Sequence, residues 1–99
     1  MPNATRLGDK CTGHGPCYPS RPSIQGSSDV FVNGKAIHCQ GHNWATHCKQ
    51  CGDDHPCHGG VLSGGSSTVF VNGKAAGRVG DSVSCGSKVM TGSSDVFIG

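Results

Sequence analysis

The sequence predicts an all-β chain of short hairpins closed into a roughly threefold object. Three observations predict it. The segment Gly65–Cys85, GSSTVFVNGKAAGRVGDSVSC, places a β-prone run, Val69-Phe70-Val71, directly before Asn72-Gly73. Asn-Gly suits a two-residue type I′ hairpin turn, because both central positions need positive φ. The first half of this segment recurs upstream as Gly26-Ser27-Ser28-Asp29-Val30-Phe31-Val32-Asn33-Gly34-Lys35. A third copy is split between the ends of the chain. Its strand half is Gly92-Ser93-Ser94-Asp95-Val96-Phe97-Ile98-Gly99, and its second half is Arg6-Leu7-Gly8-Asp9, which repeats Arg78-Val79-Gly80-Asp81. A repeat divided between the termini predicts closure, with the ends adjacent. No window sustains apolar 3.6-residue periodicity, so helices are expected to be few or absent.

Size and composition point to one small domain spanning residues 1–99. Only 33% of residues are hydrophobic and seventeen are glycine, so a thin core faces a large ordering entropy. A staple is therefore expected: a metal, a disulfide or a partner. The net charge of +2 comes without a basic run or interleaved aromatics, which excludes a nucleic-acid partner. No stretch reaches the length of a membrane span, and Met1-Pro2-Asn3-Ala4 begins no signal peptide. The expectation is assembly in the cytoplasm, with export only by a dedicated machine. Seven cysteines cannot all pair with one another, and in a reducing cytosol metal binding is favoured over disulfides.

Taken in order, Arg6–His14 is the first Gly-Asp unit and ends in Gly13-His14-Gly15, whose glycines free the imidazole to reach inward. Residues 16–25, PCYPSRPSIQ, hold three prolines and read as a stiff, extended connection rather than a strand in a sheet. Val30-Phe31-Val32 is a strand, and Ala36-Ile37-His38 is its return. Nine residues separate Asn33 from His42, as nine separate Asn72 from Asp81, so His42 holds the aspartate position and Gly41 that of Gly80. Trp44 is expected to cap the small core or pack on a neighbouring ring. Residues 48–57, CKQCGDDHPC, have no counterpart in the Gly65–Cys85 copy and read as an inserted loop.

The repeat register also selects a set of ligands. His14 follows Asp9 by five residues, and His47 follows His42 by five, close to the register of Cys85. Counted from the other side, His58 precedes Gly65 by seven residues, as Cys85 precedes Gly92. Closing three units about an axis brings His14, His47, His58 and Cys85 together. Three imidazoles and one thiolate make a four-coordinate set suited to zinc, with no open position for catalysis. For the second cluster, Cys48, Cys51, His55 and Cys57, three readings stay open: a second metal of zinc-knuckle type, a bridge from Cys57 to Cys17 or Cys48, or free thiols. Cys51→Ser is accordingly expected to matter less than Cys85→Ser. Cys11 and Cys39 have no obvious partner. Asp9 and Asp81 read as turn residues bonding their own backbone, with Arg6 and Arg78 pairing to them at the surface.

Gly-Ser-Ser-x-Val-Phe-Val-Asn-Gly-Lys followed by Arg-Val-Gly-Asp resembles the proline–alanine–alanine–arginine repeat, or PAAR, family, over nearly the whole chain from Arg6 to Gly99. The signature itself is degenerate. Lys74-Ala75-Ala76-Gly77-Arg78 keeps the alanines and arginine but lacks the proline, and the copy around Cys39 and His42 lacks both Arg and Asp. The resemblance implies a small cone of β-hairpins with a structural zinc near its apex, held by three histidines and a cysteine. By motif these are His14, His47, His58 and Cys85.

It implies a structural role and no enzyme activity. The expected role is a tip that caps and sharpens the trimeric β-helical spike of a contractile injection machine, in a type VI secretion system or a phage tail. One tip would sit on each trimer, help puncture membranes, touch the target membrane transiently and carry effector cargo in some cases. Because the sequence ends within its last repeat, a stand-alone tip is expected. It would act at the end of a spike or virion tail and be delivered outside the cell. The alternative is a small zinc-binding interaction module that recruits a partner through Cys48, Cys51, His55 and Cys57. A thiol enzyme is the weaker third reading, since no Gly-flanked nucleophile turn stands out.

Overall fold

The computed structural model describes residues 1–15 and 17–99. Pro16, which begins the expected stiff connection, lies outside the described residues. Among the described residues there is no helix. Six strands form three antiparallel hairpins: β1 (Phe31–Val32) with β2 (Lys35–Ala36), β3 (Asn43–Cys48) with β4 (Cys57–Val61), and β5 (Phe70–Val71) with β6 (Lys74–Ala75). The protein is all-β.

The two Asn-Gly turns take the conformation their residues predict. Asn33 and Gly34 have φ of 56° and 77°, and Asn72 and Gly73 have 51° and 82°. Phe31 then faces Ala36 in one hairpin, and Phe70 faces Ala75 in the other. The third unit is assembled from the two ends of the chain. Asn3 bridges Phe97, and Ile98 N–H donates to the Pro2 carbonyl (2.9 Å).

The threefold repeat can be followed bond by bond. Ile37, Ala76 and Ala4 donate to the carbonyls of Val30, Val69 and Val96 (3.0, 3.0 and 2.9 Å). Ser27, Ser66 and Ser93 are buried, and each Oγ accepts from the N–H groups two and three residues on, closing the polar turn before each strand. At the middle of the body, Thr5 N–H donates to Gly77, His38 to Thr5 and Gly77 to His38 (3.1, 3.0 and 2.9 Å). Three segments that meet at the middle thus satisfy their backbone in a ring, as buried amides must be satisfied. Gly77 is required there: a Cβ would sit 2.6 Å from both the His38 carbonyl and Leu62 Cδ2.

Two small apolar clusters hold this frame. One joins the hairpin units through Ala4, Val32, Ile37, Cys39, Val71, Ala76 and Ile98. The other contains Cys11, Trp44, Leu62, Val83 and Val89, with Cys85 packed against it. Trp44 does cap a core: it is 2% exposed and meets the His38 ring edge-on at 5.0 Å. The whole measures 43 × 23 × 23 Å, and the two equal short axes suit a body built about one long axis.

One expectation about the fold is corrected. The Arg6–Asp9 and Arg78–Asp81 pairs (2.9 and 3.0 Å) are largely buried rather than at the surface, with side-chain exposures of 14%/8% and 21%/11%. Each aspartate also accepts the backbone N–H three residues before it, which pins it inward. Residues 17–25 form no strand in a sheet, as expected; Tyr18, Pro22 and Ser23 make single bridges to His14, Lys10 and Trp44. Residues 49–56 are the expected inserted loop, and it joins the β3–β4 hairpin, in which His47 faces His58 and Cys48 faces Cys57.

Candidate metal centre

Each ligand candidate is delivered by its local backbone. Gly13 and Gly15, with φ of 71° and 62°, turn the chain sharply on either side of His14. Gly13 lies against the Tyr18 carbonyl, where no Cβ would fit. His47 and His58 are cross-strand partners in β3–β4, so one hairpin presents two imidazoles side by side. Cys85 follows the Arg78–Asp81 turn and precedes Gly86, whose φ is 107°.

The four side chains converge. His14 Nε2 lies 3.1 Å from His47 Nε2 and 2.9 Å from His58 Nε2, and the last two are 2.8 Å apart. Cys85 Sγ is 4.0 Å from His47 Nε2, and all four ligand atoms fall within 4.8 Å of one another. A tetrahedral ion with bonds of about 2.0–2.1 Å to imidazole needs nitrogens about 3.3 Å apart. The triangle, at 2.8–3.1 Å, is within about half an ångström of that. His47 Nδ1 donates to the Pro19 carbonyl (2.9 Å), which leaves a bare lone pair on Nε2 facing its neighbours. A second-sphere carbonyl of this kind is usual for a ligating histidine. Converging lone pairs repel unless a cation lies between them. The cluster can hold a metal ion.

The surroundings favour the ligating protonation states. Burial pushes His14 below the ordinary imidazole range, helped by the charges of His58 and Arg21. Burial does the same for His47 against the opposing Pro19 carbonyl, with Arg21 adding to it. For Cys85, burial opposes ionisation, but hydrogen bonds from the Ser87 N–H and from Arg21 outweigh it and leave the thiol lowered. Neutral imidazoles and a thiolate are what a metal requires.

The sequence reading missed Arg21. It is 3% exposed, and among the described residues it has no carboxylate partner. Its Nη2 donates to Cys85 Sγ (3.0 Å), its Nη1 to Cys11 Sγ (3.2 Å), and its Nε to the Ala45 carbonyl. It lies 6.0 Å over the Trp44 ring. Arg21 therefore ties a ligand to the second apolar cluster. Tyr18, also missed, stacks on His14 at 4.5 Å and lies 4.7 Å from the His58 ring.

The second cysteine cluster is resolved as disulfides, Cys48–Cys57 and Cys17–Cys51. This corrects the zinc-knuckle reading of Cys48, Cys51, His55 and Cys57, because the three cysteines are held in disulfides and cannot ligate as thiolates; of the alternatives left open, it is the bridge from Cys57 to Cys48 that forms. It also corrects the preference for metal over disulfides at these cysteines. His55 Nδ1 instead donates to the Lys49 carbonyl (2.8 Å). Both bridges serve the histidines. Cys48 and Cys57 are the sequence neighbours of His47 and His58, and Cys17 lies in the segment that bridges His14 to Tyr18. Cys11, Cys39 and Cys85 remain free thiols.

Residues 52–99 match the family model of the PAAR motif. Just under half of the chain thus carries the PAAR motif. The matched half contains β5–β6, the Arg78–Asp81 turn, His58, Cys85 and the final strand segment. A comparison with curated proteins gives no match. The upstream half of this PAAR-motif chain is tied to the matched half by the repeat itself, since the bonds described above run through all three units.

Proposed function

We propose that this PAAR-motif chain is the structural tip of a trimeric β-helical spike in a contractile injection machine, of a type VI secretion system or a phage tail, and that zinc occupies the His14, His47, His58 and Cys85 site. The observation that carries the reading is the trio Phe31, Phe70 and Phe97. They hold equivalent positions in the three units and are 58%, 59% and 48% exposed. Val30 and Val69 beside them are also exposed. A chain this poor in large apolar residues leaves all three phenylalanines at its surface, one per unit, as contacts to a threefold partner require. Such a cap would also cover the strand ends of the spike, which otherwise invite edge-to-edge association.

The Cys85 thiol and three imidazoles support zinc, because mixed nitrogen and sulfur donors in a closed four-ligand set suit that ion and leave no place for a catalytic water. The proposed role is therefore mechanical rather than enzymatic. A rigid end would aid membrane puncture and could carry cargo, and the chain would act where the spike acts. The test is to mix the protein with the trimeric spike of the same machine and measure the complex mass. One copy per trimer, weakened when Phe31, Phe70 and Phe97 are changed to Ser, is the expected result. Three copies per trimer, or binding indifferent to the three phenylalanines, would overturn the reading.

A further inference from the structure

The three Gly-Asp turns share one backbone but not one filling. Gly8, Gly41 and Gly80 have φ of 91°, 88° and 94°. In each turn the first residue's N–H donates to the side chain of the fourth: Arg6 to Asp9 (2.8 Å), Cys39 to His42 Nδ1 (2.9 Å) and Arg78 to Asp81 (2.8 Å). His42 thus does the backbone work of an aspartate. It does not do the charge work, and Cys39 is far shorter than an arginine.

The consequence is a cleft. In the other two copies the guanidinium finds an acceptor beside its turn: Arg6 reaches Asn33 Oδ1 of the next unit (3.1 Å) and Arg78 reaches the Gly65 carbonyl of its own unit (3.2 Å). The repeat equivalents of those two acceptors are Asn72 and Gly26. Both line an open cleft of about 330 Å³ whose wall is Cys39 and His42. The cleft therefore occupies the place that an arginine side chain fills in the other two copies.

Its donors decide what fits. His42 is 7% exposed, and because Nδ1 accepts from Cys39, the ring hydrogen is on Nε2. Among the described residues Nε2 has no partner. Lys74 lines the cleft and makes no ion pair among the described residues. Gln25 spends its Oε1 on Asn43 (3.0 Å), which leaves its amide hydrogens available. The nearby carboxylate of Asp29 is already engaged by Asn72 Nδ2 (2.7 Å) and Ser27 Oγ (2.9 Å). A guanidinium entering here would meet an imidazole N–H where the other copies offer a carboxylate. A carboxylate would meet an ammonium and two N–H donors.

We propose that this cleft is a binding site for one carboxylate, of the kind an Asp or Glu side chain of a protein partner presents, held by Lys74, His42 and Gln25. The site makes one of three equivalent faces different from the others. On a threefold partner that offers the same acidic side chain three times, one copy finds the cleft and sets the rotational register of the tip. That consequence rests on the spike-tip reading; the site itself does not.

The test is a nuclear magnetic resonance titration of the full chain with acetate and, separately, guanidinium, against sodium chloride at matched ionic strength. Saturable acetate shifts at the His42 ring and the Asn72 and Lys74 amides are expected, with a dissociation constant on the order of millimolar. Lys74→Gln should weaken the response several-fold. The double variant Cys39→Arg/His42→Asp, which rebuilds the ion pair, should abolish it and raise the melting temperature. Saturation by guanidinium instead, acetate shifts no larger than those from chloride, or a response that survives the double variant would each overturn the assignment. Spike stoichiometry is measured independently, so the two readings fail separately.

Discussion

Acid should destabilise this protein through one histidine that lies outside the candidate metal centre. His38 belongs to the central ring of backbone bonds and is 0% exposed. Its Nδ1 donates to the Gln25 carbonyl (2.7 Å), and its Nε2 is buried with no partner. Burial, against that hydrogen bond, pushes its pKa down from 6.5 to about 4. Protonation would add a charge and an N–H with nowhere to donate. In the unfolded chain the same imidazole protonates near 6.5. Stability from this group is therefore complete above that value. It falls as the pH drops below 6.5 and levels off near 4. The window spans about 2.5 pH units at about 1.4 kcal/mol per unit, so the loss is about 3 kcal/mol.

The assay is urea unfolding at several pH values with excess chelator, so that metal ligands do not contribute a metal-linked slope. His38→Asn keeps a donor toward Gln25 without titrating. It should be less stable at neutral pH but lose about 3 kcal/mol less between pH 6.5 and 4. Equal acid slopes for the two proteins, or a His38 ring that titrates near 6.5 in the folded state, would refute the reasoning.

Three further outcomes follow from the structure. Cys85→Ser and His14→Ala should each lower bound zinc and the melting temperature, and metal affinity should fall with acid as the imidazoles take up protons; full metal content and unchanged melting would move the site elsewhere. Reducing Cys17–Cys51 and Cys48–Cys57, or replacing Cys17 and Cys51 together by Ser, should speed metal loss to a chromophoric chelator. The Cys17–Cys51 bridge, with a sequence separation of 34, should contribute about 4 kcal/mol of stability by chain entropy, read from urea midpoints. Gly77→Ala should destabilise by about 1–3 kcal/mol, measured by thermal melting, because its Cβ would press on Thr5, His38 and Leu62 at the central ring.

What was legible in the sequence was what local chemistry determines. Asn-Gly requires its turn, and the repeat spacing then places Phe31 and Phe70, the Gly41 turn and the split third unit. The candidate site was legible for the same reason: repeat register alone selects His14, His47, His58 and Cys85, and the structure brings these four together. The β3–β4 hairpin was not. A register shift between Trp44 and His47 breaks the alternation that would have marked a strand. Cys48 and Cys57 flanking two histidines was the available signal. Arg21 could not be found from spacing, because its contacts come from residues 11, 45, 47, 85 and 87. Of the disulfides, Cys48–Cys57 was one of several open readings and Cys17–Cys51 was not foreseen, since spacing does not determine connectivity.

The exceptions to the repeat are informative because the repeat is otherwise so complete. Where three units share a residue, as with Ser27, Ser66 and Ser93, the shared bond is explained by folding alone. A departure from threefold equivalence is not needed for closure and calls for its own cause. There are two clear departures. The longer β3–β4 hairpin adds a second imidazole and two disulfides at the candidate metal centre, converting three equivalent positions into four candidate ligands. The exchange of Arg and Asp for Cys39 and His42 gives up an ion pair that the other two copies keep largely buried, and opens a cleft there. A buried ion pair between well-placed partners can be lost at little cost only if both members go together, since one left alone would be an uncompensated charge. Both went. The fold therefore tolerates the exchange, and the donors that now line the cleft are left for a ligand rather than for the frame.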